Sequence, residues 1–223
     1  MDRIADAFVW PVRDPDWMGK VVIMGLILLI PIVGGIDGLG WMLVTLDRLR
    51  AGEEKLPPAN FNYLGRGAPL FVVFLVYYLG LALIGAALYV PAFLILSQQS
   101  QGSLNAFLVL LAFGLMLLTL SAVTLGSLAL IFATPAIVIA VDRGGIAEGL
   151  RVGAVLGRAR LSVVNTLIAG LMLIAAEFVG QLGGLACLIG VVFTSAYALA
   201  MQAWIIRSYE VGSAAQTPAP VTT

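Results

Sequence analysis

Long apolar runs separated by short polar segments set the pattern of this chain. The runs are Val21–Leu46, Ala68–Ser97, Leu104–Val141, Leu161–Leu182 and Leu185–Ile206. None alternates with the period of two that a half-buried strand shows. Each is long enough to be read as a helix surrounded by hydrocarbon. The third run would measure ~57 Å as a helix, against a hydrocarbon core of ~30 Å. It must tilt, break or protrude, and Pro135 is the expected break. The last two runs divide at Gly183-Gly184. The first is interrupted by Pro31, Gly34, Gly35, Asp37 and Gly38, a poor place for a continuous helix. The expected fold is therefore all-α and membrane-integral. It has about four full transmembrane helices in two hairpins, preceded by a re-entrant or kinked helical hairpin at 21–46, in a single membrane domain over 1–210.

The ends of the chain read differently. In residues 2–10, Ile4, Ala5, Phe8 and Val9 share one helical face, with Asp2, Arg3 and Asp6 off it. Too short to span, the stretch is expected as a helix on the membrane surface, within an interfacial segment 2–19. Pro11 ends it. Asp14 suits a helix N-cap, Pro15 the first helical position and Asp16 the positive helix end. Trp17 and Lys20 are expected as headgroup anchors. The early acids and the late start of the first run argue against a cleavable signal. The tail from Val211, rich in Ser, Ala, Thr and Pro, is expected to be disordered.

Composition supports lipid as the solvent. Apolar residues make up 61% of the chain and charged residues 11%. A soluble domain has about 45–50% and about 25%. The 12 basic residues fall in the N-terminal segment, in 48–66, in 143–160 and at Arg207, and none lies in the loops 98–103 and 183–184. Basic loops stay inside. That rule places the two charged loops and the C-terminus in the cytoplasm, in a cytoplasmic membrane. The first run leaves two options. A single tilted crossing puts three basic residues outside. A hairpin turning at Gly34-Gly35 keeps all of them inside, with arms ~16–20 Å deep.

The residues Phe8, Pro11, Asp14-Pro15-Asp16-Trp17, the stretch 26–34, Ala51-Gly52-Glu53 before Leu56-Pro57, Thr134-Pro135-Ala136, 146–160 and 183–205 resemble one family. That family is catalogued as domain of unknown function 4013. The likeness covers 8–210. It implies a bacterial or archaeal multi-pass protein and supplies no catalytic residues.

Candidate chemistry is sparse. The chain has no histidine, and its one cysteine, Cys187, lies in an apolar run. No metal site, phosphate loop or nucleophile elbow is present in the sequence, and no cofactor is expected. A net charge of zero leaves no basic face for nucleic acid. The candidate intramembrane polar residues are Asp37, Glu177 and Gln181, since an ionisable group among apolar helices is expensive and often functional. Asp37 either lines a water path at the hairpin tip or hydrogen-bonds glycine amides in a kink. Glu177 and Gln181 share a face with Thr166 and Gly170. They either bind a cation or proton, or hydrogen-bond between helices. Gly145, Gly149, Gly153 and Gly157 recur every four residues, as a helix-packing stripe or a flexible linker. These features favour a non-catalytic protein that meets the bilayer, itself or a larger membrane complex: a scaffold, a subunit or a membrane-shaping homo-oligomer. The alternative is a small transporter or channel using the intramembrane carboxylates.

Overall fold

A computed structural model describes residues 4–99 and 105–214. Asp2, Arg3, much of the 98–103 loop and most of the tail after Val211 lie outside the described residues, as do the side chains of 186–189, Cys187 among them. Every regular element among the described residues is helical. Among these residues two 3-10 turns, Ile4–Phe8 and Trp10–Arg13, lead into seven α-helices. These are α1 (Trp17–Leu28), α2 (Val33–Arg50), α3 (Leu64–Gln99), α4 (Ala106–Gly149), α5 (Val152–Leu161), α6 (Val163–Leu182) and α7 (Cys187–Ala214), with a 3-10 turn at Gly183–Ala186 before the last. Three segments among the described residues are long and apolar enough to cross a membrane: Leu64–Gln98, Ala106–Gly149 and Val163–Leu185. The chain forms two compact units, Phe74–Ile131 and the remainder, Met1–Val73 with Phe132–Thr223.

The unit Phe74–Ile131 is an antiparallel pair made from parts of α3 and α4. Small residues let the two arms approach. A Cβ on Gly85 would lie 3.0 Å from Val123, and one on Gly126 would press on the Leu81 side chain. Not one charged residue occurs between 74 and 131. Large apolar side chains such as Leu83, Phe93, Phe107, Leu110 and Leu120 are exposed along both arms. Water would penalise such a surface, whereas hydrocarbon does not.

The other unit is built around α7. Helices α1, α2 and α6 and the first 3-10 turn all pack on it. Its alanines 196, 198, 200 and 203 are buried, as are Met201, Ile205, Ile206 and Tyr209. Small residues in a membrane helix permit close packing where no hydrophobic driving force exists. Gly25 of α1 meets the Val192 carbonyl so closely that a Cβ would overlap it. The N-terminal segment also belongs to this core. The Trp10 ring stacks on Trp204 at 5.6 Å, and its indole N–H donates to the Ala200 carbonyl at 3.3 Å. The Tyr197 hydroxyl donates to the Phe8 carbonyl at 2.6 Å. The buried positions here are Ala7, Trp10, Pro11 and Asp14, whereas Val9 is exposed. The expected α-helical face of Ile4, Ala5, Phe8 and Val9 is therefore replaced by 3-10 turns that aim the next set of residues at α7.

Three further expectations are corrected. The first run turns at Leu29–Ile32, not at Gly34-Gly35. Pro31 stops α1, Ile32 adopts a left-handed φ of 65°, and Gly34 already belongs to α2, pressed against the Ile27 carbonyl. The third run does not break at Pro135, which lies inside α4; the non-helical residue is Gly145, with φ 68° and ψ −162°. A break at Pro135 would leave further backbone groups unpaired where there is no water to take them. Gly145 lies past the charged pair Asp142-Arg143, and glycine adopts positive φ at little cost. The glycine stripe is split as a result. Gly145 makes the break and Gly149 packs on Val141 and Val73, while Gly153 and Gly157 sit on α5 with no neighbour in Cβ reach.

Candidate functional site

Helices α6 and α7 form a hairpin locked near its tip. The Thr194 hydroxyl donates to the Gly180 carbonyl at 2.7 Å, and Gly183 abuts the backbone of Gly190. One face of α6, with Ala169, Gly170, Leu173 and Ala176, is buried. Glu177 follows at the edge of that face. The side-chain amide of Gln202 on α7 donates to Glu177 Oε1 at 2.7 Å. The pair opens into a groove of about 620 Å³. Leu28 of α1, Gly35 and Leu39 of α2 and Phe71 of α3 form one wall. Gly180, Gln181, Ser195 and Leu199 extend the other. The groove thus sets one carboxylate, two primary amides and a hydroxyl in a largely apolar surface. Where lipid rather than water covers that surface, each hydrogen bond to the carboxylate counts for more than in water. The set holds no cluster of His, Cys, Asp or Glu that suits a metal ion among the described residues.

Of the three expected polar residues, Glu177 and Gln181 share this groove and Asp37 does not line it. Asp37 is fully buried in α2 and accepts from the Tyr63 amide at 3.0 Å, with the Leu64 amide beside it. It serves the first residues of α3, where helix amides have no intrahelical partner. It sits one turn into α2 rather than at a hairpin tip. Thr166 and Gly170 are also used elsewhere. The Thr166 hydroxyl donates to the Ala159 carbonyl at 2.8 Å, and Gly170 lies against the Phe132 ring. Gln202 and Ser195 were not anticipated. A lone amide at 202 in an otherwise apolar run was the available signal for the first.

A second constellation joins charged residues of four helices. Arg50 at the end of α2 bridges three carboxylates: Asp142 of α4 at 2.6 Å, Asp47 at 3.0 Å, and Glu210 of α7 through two nitrogens at 2.8 and 3.2 Å. Arg66 also reaches Asp47 and Asp142, and Arg143 reaches Glu210 at 2.8 Å. Burial pushes against the charged form of Arg50, but Glu210 and Asp142 outweigh it and hold the guanidinium more firmly charged than usual. Burial likewise opposes ionisation of Glu210, yet Arg50 and Arg143 keep its carboxyl below the ordinary range. The network ties α2, α3, α4 and α7 at one level.

Lys20 and Trp17, expected as headgroup anchors, are engaged inside the protein. Lys20 donates to Asp14 at 2.6 Å and to the Leu56 carbonyl at 3.0 Å, and Trp17 packs edge-on against Tyr197.

An all-helical chain with these three apolar helices, a broken first run and a polar pair in an apolar groove is a helical membrane protein. Its residues 23–189 match the family described as protein of unknown function (DUF4013), and the chain belongs to that family. No curated protein and no solved structure matches it.

Proposed function

We propose that this is a non-catalytic component of the cytoplasmic membrane, a scaffold or subunit that docks a membrane helix of a second copy or of another protein in the groove at Glu177. The observation that carries this reading is the Glu177–Gln202 pair. Glu177 lies in a helix long and apolar enough to span, it is exposed on the groove, and Gln202 is the one side chain seen bonded to it among the described residues. A carboxyl group facing lipid is costly, and a second helix supplying a donor would relieve that cost. The uncharged pair 74–131 offers further apolar surface for lateral contact. Both charged loops and the C-terminus lie on the cytoplasmic side in this reading.

The transporter reading has its own support. The broken α1–α2 segment contributes Leu28, Gly35 and Leu39 to the same groove, and discontinuous helices beside a polar site are a transporter habit. One pair of measurements separates the two. In a Cys187→Ser background, Gln181→Cys is expected to give a disulfide-linked dimer, or a partner adduct, in native membranes. Glu177→Leu should weaken co-purification in mild detergent. A monomer whose reconstituted form carries a solute flux that Glu177→Gln abolishes would overturn the docking reading.

A further inference from the structure

A second recess, of about 230 Å³, lies where α4, α5 and α7 meet. Arg143, Arg158, Tyr209 and Glu210 line it, with Leu161 at its edge. We propose that this recess takes the phosphodiester headgroup of an anionic phospholipid, with α5 seated in the same leaflet.

Four observations converge on a lipid. First, the charge is right. The lining holds two arginines and one carboxylate, and that carboxylate is already occupied. Glu210 accepts from Arg50, Arg143 and Arg207. Arg143 spends one nitrogen on it and remains 60% exposed, so its fork is open to a second oxyanion. Guanidinium groups match phosphate oxygens in pairs. Second, α5 carries Arg158 and Arg160 and no acid. Among the described residues the Arg158 side chain makes one long contact, 3.5 Å, to the Ala136 carbonyl. Third, α5 exposes large apolar side chains beside those arginines: Leu161 at 80%, Val152 at 52% and Leu156 at 45%. Fourth, α5 joins α4 to α6, two helices long enough to span, so chain connectivity alone brings it to a membrane surface. Basic recesses between membrane helices at that level suit anionic headgroups. A free phosphate would use the arginines but not the apolar side chains at the edge, which is why the lipid is the occupant.

Native mass spectrometry of the full chain in mild detergent tests this directly. Incubation with phosphatidylglycerol should leave lipid adducts that survive activation, in several-fold excess over phosphatidylcholine at equal concentration. The double variant Arg143→Gln/Arg158→Gln should lower phosphatidylglycerol retention by roughly tenfold or more. Arg151→Gln, which removes a partner of Glu148 outside the recess, should leave it unchanged. Should the double variant fail to fold, thermal stability of the unmodified protein decides, because a lipid that binds the native state raises its melting temperature and phosphatidylcholine should not. Equal retention of the two lipids, or no selective stabilisation, overturns the proposal. Displacement of phosphatidylglycerol by equimolar inorganic phosphate would assign the recess to a free anion instead.

Discussion

Asp14 is 1% exposed, yet it carries a charge that three groups satisfy. Lys20 Nζ donates to it at 2.6 Å, the Leu56 amide at 2.8 Å and the Asp16 amide at 3.0 Å. Burial raises its carboxyl, but those bonds outweigh burial and hold it below the usual carboxylate range. Removing one partner of such a buried pair costs about 3–5 kcal/mol. Asp14→Ala should therefore lower the melting temperature of the detergent-purified protein markedly, with Lys20→Met close behind. The sign with pH follows from the lowered value. The unfolded carboxyl titrates near 3.9, so the stabilisation is complete above that pH and is lost as pH falls below it toward the folded value. Unfolding followed from pH 6 down to pH 3 should show a loss at the acid end that Asp14→Asn flattens; parallel curves for the two proteins would refute the assignment. Ile32 makes the opposite case. A β-branched residue at φ 65° is strained by about 1–3 kcal/mol. Its side chain is 68% exposed, so little packing compensates. Ile32→Gly is expected to raise the melting temperature slightly, and a clear fall would show that the turn depends on the side chain.

Among elements, Arg50 decides how α2, α4 and α7 are held together. Its guanidinium serves Asp142 and Glu210, whose side chains are 6% and 14% exposed. Arg50→Met would leave two half-compensated carboxylates and should cost about 3 kcal/mol. Arg50→Lys should recover only part, since an ammonium cannot reproduce the two-nitrogen contact with Glu210. Equal stability of Met and Lys variants would show that the network is ornamental. Asp47 and Arg50 are three residues apart on one helix, but Asp142 and Glu210 were illegible as partners of Arg50, because tertiary packing alone joins them to it. Apolar runs showed where the helices lie but not where they end: α2 and α4 continue through charged residues to Arg50 and Gly149. The breaks were misread because proline and glycine act through their surroundings. Pro135 is kept in α4 by the cost of unpaired backbone in an apolar medium, and Gly145 breaks the helix where the sequence has become polar. The site divides in the same way. Glu177 and Gln181 stand out as polar letters four apart on one helix, whereas Gln202 becomes their neighbour only through the α6–α7 packing.

At the scale of the molecule, the open question from the sequence was whether 21–46 crosses the membrane once or turns back. Lys20 at the start of α1 and Arg48 at the end of α2 both donate to the Leu56 carbonyl, at 3.0 and 3.1 Å. The two ends of the run therefore meet at one point, and α1 and α2 form a hairpin. With 12 residues, α1 reaches ~18 Å, short of a ~30 Å hydrocarbon core. Arg13, bonded to Glu54, and Lys20, bonded to the Leu56 carbonyl, are held beside the 48–66 segment, the arrangement that the positive-inside rule prefers. In a Cys187→Ser background, single cysteines at Met18, Glu53 and Gly153 should react with a membrane-impermeant maleimide from the same face, the cytoplasmic one, and one at Gly184 from the other. Because Asp14 and Lys20 are bonded to Leu56, Met18 cannot be moved to the far side without breaking those contacts. Labelling of Met18→Cys and Glu53→Cys from opposite faces would thus refute the hairpin and the packing of α1 on α7 together.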